Sequence, residues 1–290
     1  MNIAVVTDSN SGISEREAKE WGIYILPMPI IIEDDIYFEG KNITKELFYN
    51  SLISGKNVST SQPSPGNVVN LWESILNDGY DEIVYIPMSS GLSSSCHTAL
   101  SLALEYKGRV EVVDNHRISV TQKHSVMEAV SLSRNNYSAF DIKRILEKNA
   151  YESSIYIAVD TLEYLKKGGR VTPAGAAVGS VLNIKPVLTI QGGKLDAFSV
   201  TRGMNKCKKK MIEAIKDDIN LRFGGPSTLR IKIGAAGSFL DDEMAVKWKN
   251  EVSAAFDNIQ VTYDPLAFSI GCHVGPNAIG IGVSKVVCNI

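Results

Sequence analysis

DEIVYIPMSSGLSSSCHTALSLALEYKGRVEVVD, residues 81–114, opens on a short apolar run, passes through a loop of serine and glycine, continues as a helical pattern and closes on a second apolar run. Apolar runs this short, bounded by turn residues, read as buried strands, and the order strand, helix, strand is a βαβ unit with a right-handed crossover on a parallel sheet. The loop between them, SSGLSSS, carries Ser93 where the helix is about to begin. A strand that enters a helix through such a loop points free backbone N–H groups at one spot, and that spot attracts anions. The plain alternative is that these serines only cap the helix and form the turn.

The same grammar extends upstream. NIAVVTD is a first buried strand, and SEREAKEW opens a helix with a capping box between Ser14 and Glu17. IYILPMPIII reads as a second strand interrupted by prolines, which suits an edge or a bend. TKELFYNSLISG is a helix ended by Gly55, and Ser64 with Pro65 begins another that runs to about Asn77, approached by a polar loop over Ser59–Gln62. VTQKHSVMEAVSLSR and DIKRILEKNAYE are two further helices, the second entered through Ser138 and Asp141.

From about Ser153 the pattern changes. SIYIAVD is a strand, TLEYLKKGG a short helix capped by Asp160 and ended at Gly168-Gly169, and TPAGAAVGSVLN a helix of small residues entered through Thr172 and Pro173. KPVLTIQGGKLDAFSV is a hairpin around Gly192-Gly193. A long helix, a strand, a helix, a strand and the alternating AIGIGVSK complete the chain. The predicted fold class is α/β: a parallel-sheet N-terminal domain over residues 1–153 and a mixed or antiparallel α+β C-terminal domain over 154–290.

Composition narrows the function. The 290 residues, 44% hydrophobic and 21% charged, suit a folded chain with ample core. A formal charge of −2 offers no concentrated basic surface for nucleic acid, so no such partner is expected. No apolar run is long enough to span a bilayer, and the N-terminus lacks the basic segment of a signal peptide, so at most transient membrane contact is expected. Cys96, Cys207, Cys272 and Cys288 are scattered without zinc-ligand spacing, which predicts no metal and a reducing, cytoplasmic setting.

Three polar stretches stand out. In SSGLSSS no Gly-Lys-Ser/Thr follows, no GxGxxG is present, and Gly91-Leu92-Ser93-Ser94-Ser95 lacks the second glycine of a hydrolase elbow. STSQPSPG delivers Thr60 and Ser61 to a neighbouring helix start, and loops at the carboxyl ends of parallel strands converge, so Thr60 and Ser93 face one ligand in this reading. SIGCHVGPNAIGIG sets His273 in a loop bracketed by glycine and proline, open to close approach of a ligand; His97 lies on a helix, and His116 and His124 read as surface residues. Arg170 and Arg202 sit beside glycines, where they are either solvated or receive a phosphate or a partner's carboxylates. The run Lys206–Lys210 is read as a solvated helix face.

VVTDS, TSQPSPG, SSGLS, LEYLKKGGRV, LNIKPVL and HVGPNAIGIG, in this order along nearly the whole chain, resemble the DegV family. The resemblance implies a bacterial two-domain protein that holds one long-chain fatty acid, such as palmitate or oleate, in an inter-domain tunnel. It further implies presentation of the carboxylate to a separate fatty acid kinase that makes acyl phosphate for phospholipid synthesis, with no catalysis and no cofactor of its own. Position by position, Thr60 and Ser93 match the hydroxyls on the carboxylate, with Ser61, Ser94 and His273 beside them, and Arg202 and Arg170 match basic positions that face the kinase or its phosphate. Ser94 stands where the family usually has glycine, and Cys272 and Asn277 depart from the family around His273. A different class remains as the alternative: a serine hydrolase of acyl esters using Ser93, His273 and an acid such as Asp8 or Asp114. A sugar-kinase-like phosphotransferase would rest on fold analogy alone and lacks a nucleotide loop.

Overall fold

The computed structural model describes residues 2–177, 184–225 and 230–290, and everything below concerns those residues. Strands β1 (Ile3–Asp8), β2 (Ile23–Leu26), β6 (Glu82–Ile86) and β7 (Val110–Val112) form an all-parallel sheet in the order β2-β1-β6-β7. The βαβ unit is therefore present, with α4 (Ser95–Ala103) as its crossover helix. Six more strands make a mixed sheet: β8 (Ser153–Ala158), β9 (Ile184–Ile190), β10 (Asp196–Arg202), β11 (Ile231–Gly237), β12 (Val261–Pro265) and β13 (Ile279–Lys285), in the order β10-β9-β8-β13-β11-β12. Only β11 and β12 pair in parallel there, and the expected hairpin is β9–β10.

The proline-interrupted segment is not one strand. It divides into β2 and β3 (Pro29–Ile32), and β3 leaves the parallel sheet to join β4 (Asp35–Phe38) and β5 (Val58–Thr60) in a separate antiparallel sheet. Proline at the first residue of β3 explains the break, since the ring leaves no N–H for a continuing ladder. Thr60 consequently ends a strand, paired with Ile30, rather than lying in a loop.

The helices are α1 (Glu15–Trp21), α2 (Lys45–Ile53), α3 (Pro65–Asn77), α4, α5 (Ser119–Arg134), α6 (Ala139–Lys148), α7 (Glu163–Gly168), α8 (Pro173–Ala177), α9 (Met204–Leu221), α10 (Asp242–Ser253) and α11 (Phe268–Val274). The capping box at Ser14, the Ser64–Pro65 start and the Ser138–Asp141 pair form as expected. Asp160 does not cap α7; the N-cap is Leu162, and Thr161 Oγ1 accepts the Glu163 N–H instead. Beyond Ala177 the expected small-residue helix lies outside the described residues.

Apolar layers follow from this order. Trp72, Ile75 and Tyr85 pack α3 and α4 on one face of the parallel sheet, and α5 and α6 cover the other. Trp248, Phe223 and Met211 pack α9 and α10 on one face of the mixed sheet. Its other face, with Ile155, Ile157 and Leu188, looks toward the carboxyl ends of β1 and β6.

Helix α5 departs most from the sequence reading. Its polar context made His124 read as a surface residue, yet the helix is buried almost throughout, because it packs on both sheets. Each buried charge finds a partner. Lys123 Nζ reaches Glu17 at 2.8 Å and Asp264 at 2.5 Å, and Arg117 meets Glu128 at 3.4 Å with both side chains essentially sealed. Gln122 Nε2 donates to Thr7 Oγ1, Asp8 Oδ1 and the Ile86 carbonyl. His124 is thus not a surface residue; it bonds Ser284 Oγ at 2.9 Å through Nδ1.

Burial, reinforced by Arg117, Lys123 and Lys232, lowers the His124 pKa from 6.5 to about 3. Between those values the unfolded chain binds a proton that the folded protein refuses, so the contribution of His124 is complete above the unfolded value and shrinks as pH falls. Thermal unfolding of His124→Gln measured from neutral to acid pH is expected to show a shallower loss of stability than the wild type; parallel curves would contradict the assignment.

Candidate functional site

A cavity occupies the space between the mixed sheet and the carboxyl ends of β1 and β6. Its body is aliphatic, with Leu92, Ile118, Ile155, Ile157, Ile190 and Leu195 among its walls. One end is polar: Thr60, Ser61, Gln62, Ser93, Arg170 and His273 converge there from four separate segments.

That convergence has local causes. Thr60 is delivered by β5, and His273 sits in the last turn of α11, which packs against β5 and α7. The expected glycine-proline loop is therefore a helix as far as Val274, and the turn begins at Gly275. Asn277, where the resembling family has glycine, takes the left-handed conformation at φ 61°, which asparagine tolerates better than most residues. Thr60 Oγ1 and His273 Nε2 are 2.9 Å apart. The ring can come this close because residue 168 is glycine: a Cβ there would overlap the imidazole. His273 Nδ1 is buried with no partner, and burial, helped by Arg170, lowers the pKa from 6.5 to about 4, so the imidazole is neutral at pH 7.

Ser93 lies in the loop before α4, two residues ahead of the first helical residue. Its Oγ accepts the Ser95 N–H at 3.2 Å, which leaves its own hydrogen free to point into the cavity. Arg170 is committed to main chain: Nε donates to the Leu92 carbonyl at 3.2 Å and Nη1 to the Gly168 carbonyl. It ties the serine loop to the turn after α7. Ser61 lines the cavity but donates its hydroxyl to the Gln62 carbonyl at 2.9 Å. Ser94 is the exposed N-cap of α4 with no side-chain capping bond, outside the cavity lining, and Arg202 is exposed at the end of β10.

The elements of a hydrolase triad do not assemble. Ser93 and His273 share no hydrogen bond, and no carboxylate among the described residues bonds His273. Asp8 is fully buried and accepts from Met88 N, Asn10 N and Gln122 Nε2, while Asp114 accepts from Ser90 N. Among the described residues no cluster of histidine, cysteine and carboxylates is placed to hold a metal, and no helix is long and apolar enough to cross a membrane.

The DegV family profile, described as uncharacterised protein of the DegV family, matches residues 2–286. The chain belongs to the DegV family. A DegV domain-containing protein of Deinococcus radiodurans is 28% identical over 287 residues, covering 99% of both chains. Among solved structures, a DegV family protein from Thermus thermophilus described for its fatty acid binding superposes with a TM-score of 0.88 at 28% identity, over 98% of this chain and 100% of that one. DegV of Bacillus subtilis, described as a fatty acid binding protein, gives 0.85 at 27% identity, over 98% and 99%.

Sequence reasoning passed over the glycines that shape this DegV site. Gly91 touches the β9–β10 turn: a Cβ on it would lie 2.9 Å from Gly193 Cα, and Ser89 Oγ donates to the Gly192 carbonyl at 3.2 Å. The signal was present in SSGLS and QGG, but nothing in spacing pairs two glycine turns a hundred residues apart. Gly168→Ala should drive His273 off Thr60, since a Cβ cannot share the ring's position; a stability loss of about 1–3 kcal/mol in chemical denaturation is expected. Unchanged stability would show that the ring relaxes freely.

Proposed function

We propose that this protein binds one long-chain fatty acid, with the acyl chain in the aliphatic cavity and the carboxylate on Thr60 and Ser93. The observation that carries the reading is the asymmetry of the cavity: apolar along its body, with the Thr60 and Ser93 hydroxyls at one end. Burying about 15 methylenes at about 0.8 kcal/mol each gives on the order of 12 kcal/mol before ordering costs, so the chain supplies most of the affinity. The head group only has to be satisfied, because a carboxylate in a partly dry site demands donors.

The proposed carboxylate sets the direction of the Thr60–His273 bond. A carboxylate requires the threonine hydrogen, so His273 takes the tautomer with hydrogen on Nε2 and donates to Thr60 Oγ1. Nδ1 is then an unpaired lone pair packed against Gly168. Ser93 reaches the same state through the Ser95 N–H. Both hydroxyls are engaged at oxygen and free at hydrogen. Arg170 is held by two carbonyls rather than by the ligand, so no bidentate clamp competes for the carboxylate oxygens.

This arrangement suits a protein that carries the acid and presents it rather than transforming it. We extend the reading to a separate fatty acid kinase, which would transfer a phosphoryl group to the exposed carboxylate oxygen, with exposed Arg202, and Arg170 at the cavity rim, as the positions that meet it. The family resemblance supports that step, and the unclamped carboxylate is compatible with it.

Native mass spectrometry of the purified protein is expected to show a co-purified fatty acid, and Thr60→Ala and Ser93→Ala are each expected to weaken palmitate binding by about 1–3 kcal/mol. A protein that carries no acid and takes up neither palmitate nor oleate would sink the proposal. Normal affinity in both variants would place the head group elsewhere.

A further inference from the structure

The cavity has a second group of polar side chains besides Thr60 and Ser93. Asn10, Ser119 and Ser269 all line it, and each is more than nine-tenths buried. They come from three segments that meet there: the turn after β1, the first residue of α5 and the first turn of α11. The turn after β1 packs directly on α5.

The hydrogen-bond balance in this group is one-sided. Asn10 Oδ1 already accepts from Ser269 Oγ, while Asn10 Nδ2 has only the Met88 sulfur at 3.0 Å, a weak acceptor. That leaves an amide hydrogen unused. The Ser119 hydroxyl has no partner among the described residues, whereas Thr121, two positions on, donates to the Ile118 carbonyl. Helix α5 also begins without a side-chain cap, so its first N–H groups are open at the same place, and the helix dipole adds partial positive charge. Ser119 is held at φ 55°, a left-handed conformation that costs a non-glycine residue and persists only where surroundings impose it. The Asn10 amide and the N–H groups at the start of α5 can only donate, and the Ser119 hydroxyl can donate as well as accept. A plain hydrocarbon chain leaves all of them unpaired in an apolar wall, at a cost for each buried donor.

We infer that the cavity recognises an acyl chain bearing an acceptor oxygen, a hydroxyl or keto group along the chain, with Asn10 Nδ2, Ser119 Oγ and the start of α5 as the donors. This rests on the fatty-acid reading above and adds to it the chemical class of chain. Ser269 positions Asn10 by holding its carbonyl, which turns the amide hydrogens toward the cavity.

The test is competitive binding of stearate against a panel of monohydroxylated stearates that differ only in the position of the hydroxyl. One or a few adjacent positions are expected to bind about ten-fold more tightly than stearate, the worth of one well-made buried hydrogen bond. Asn10→Ala and Ser119→Gly should each abolish that preference while binding stearate as the wild type does. Glycine at 119 removes the hydroxyl and accepts the left-handed backbone, so this variant keeps the test alive if Asn10→Ala does not fold. If every hydroxystearate binds more weakly than stearate, or the preference survives in both variants, the inference is overturned and the fatty-acid reading stands. If stearate itself does not bind, it is the fatty-acid reading that has failed.

Discussion

A polar helix buried between two sheets is the constraint on which this molecule depends. Helix α5 carries Gln122, Lys123, His124 and Glu128 into a region from which water is excluded, and breaking one such buried pair leaves an uncompensated charge at a cost of about 3–5 kcal/mol. Lys123 joins Glu17 of α1 to Asp264 of β12, so one ammonium bridges the parallel-sheet and mixed-sheet halves. Burial works against that ammonium, but the carboxylates, Asp264 foremost, hold its pKa above the ordinary lysine value. Gln122 reaches the ends of β1 and β6 in the same way. Once α5 is fixed, its first turn has only one place to go, against the cavity.

Close backbone approach does the rest. Val120 at the start of α5 fits because residues 234 and 282 on adjacent strands are glycine; a Cβ at either would lie within 2.7 Å of it. Gly168 admits the His273 ring, and Gly91 admits the β9–β10 turn. Each of these contacts brings a chemically active segment within reach of another from far along the chain. The cavity is thus bounded by elements that could not touch if those positions carried side chains. The hydroxyls that line it are held by neighbours: Thr60 by His273, and Ser93 by the Ser95 N–H, which uses its oxygen and leaves its hydrogen free.

Much of this was legible in the sequence. The βαβ unit around SSGLSSS, the hairpin at Gly192-Gly193 and three helix caps follow from local periodicity and turn chemistry, and the structure reproduces them. The approach of Thr60 and Ser93 to one space was expected from loops at the ends of parallel strands, although Thr60 arrives on β5 of the antiparallel sheet, and His273 was placed beside them by the family resemblance. What failed was non-local. The strand break at Pro29 depends on a second sheet that no single segment encodes. His124 looked exposed because its neighbours are polar, and only the ion pairs supplied from α1 and β12 and the Ser284 hydroxyl of β13 make their burial tolerable. His273 looked like a loop residue because glycine and proline surround it, although α11 continues through it to Val274. Asn10, Ser119 and Ser269 carried no motif, since their shared role depends on three segments meeting.

The central claim is the orientation of one acyl chain in one cavity, and a crystal structure of the protein with palmitate tests it most directly. Density for the chain should run along Ile155, Ile157 and Ile190, with the carboxylate oxygens about 3 Å from Thr60 Oγ1 and Ser93 Oγ. A palmitate bound in reverse, with its carboxylate against Asn10 and Ser119, or bound outside the cavity, would contradict the account.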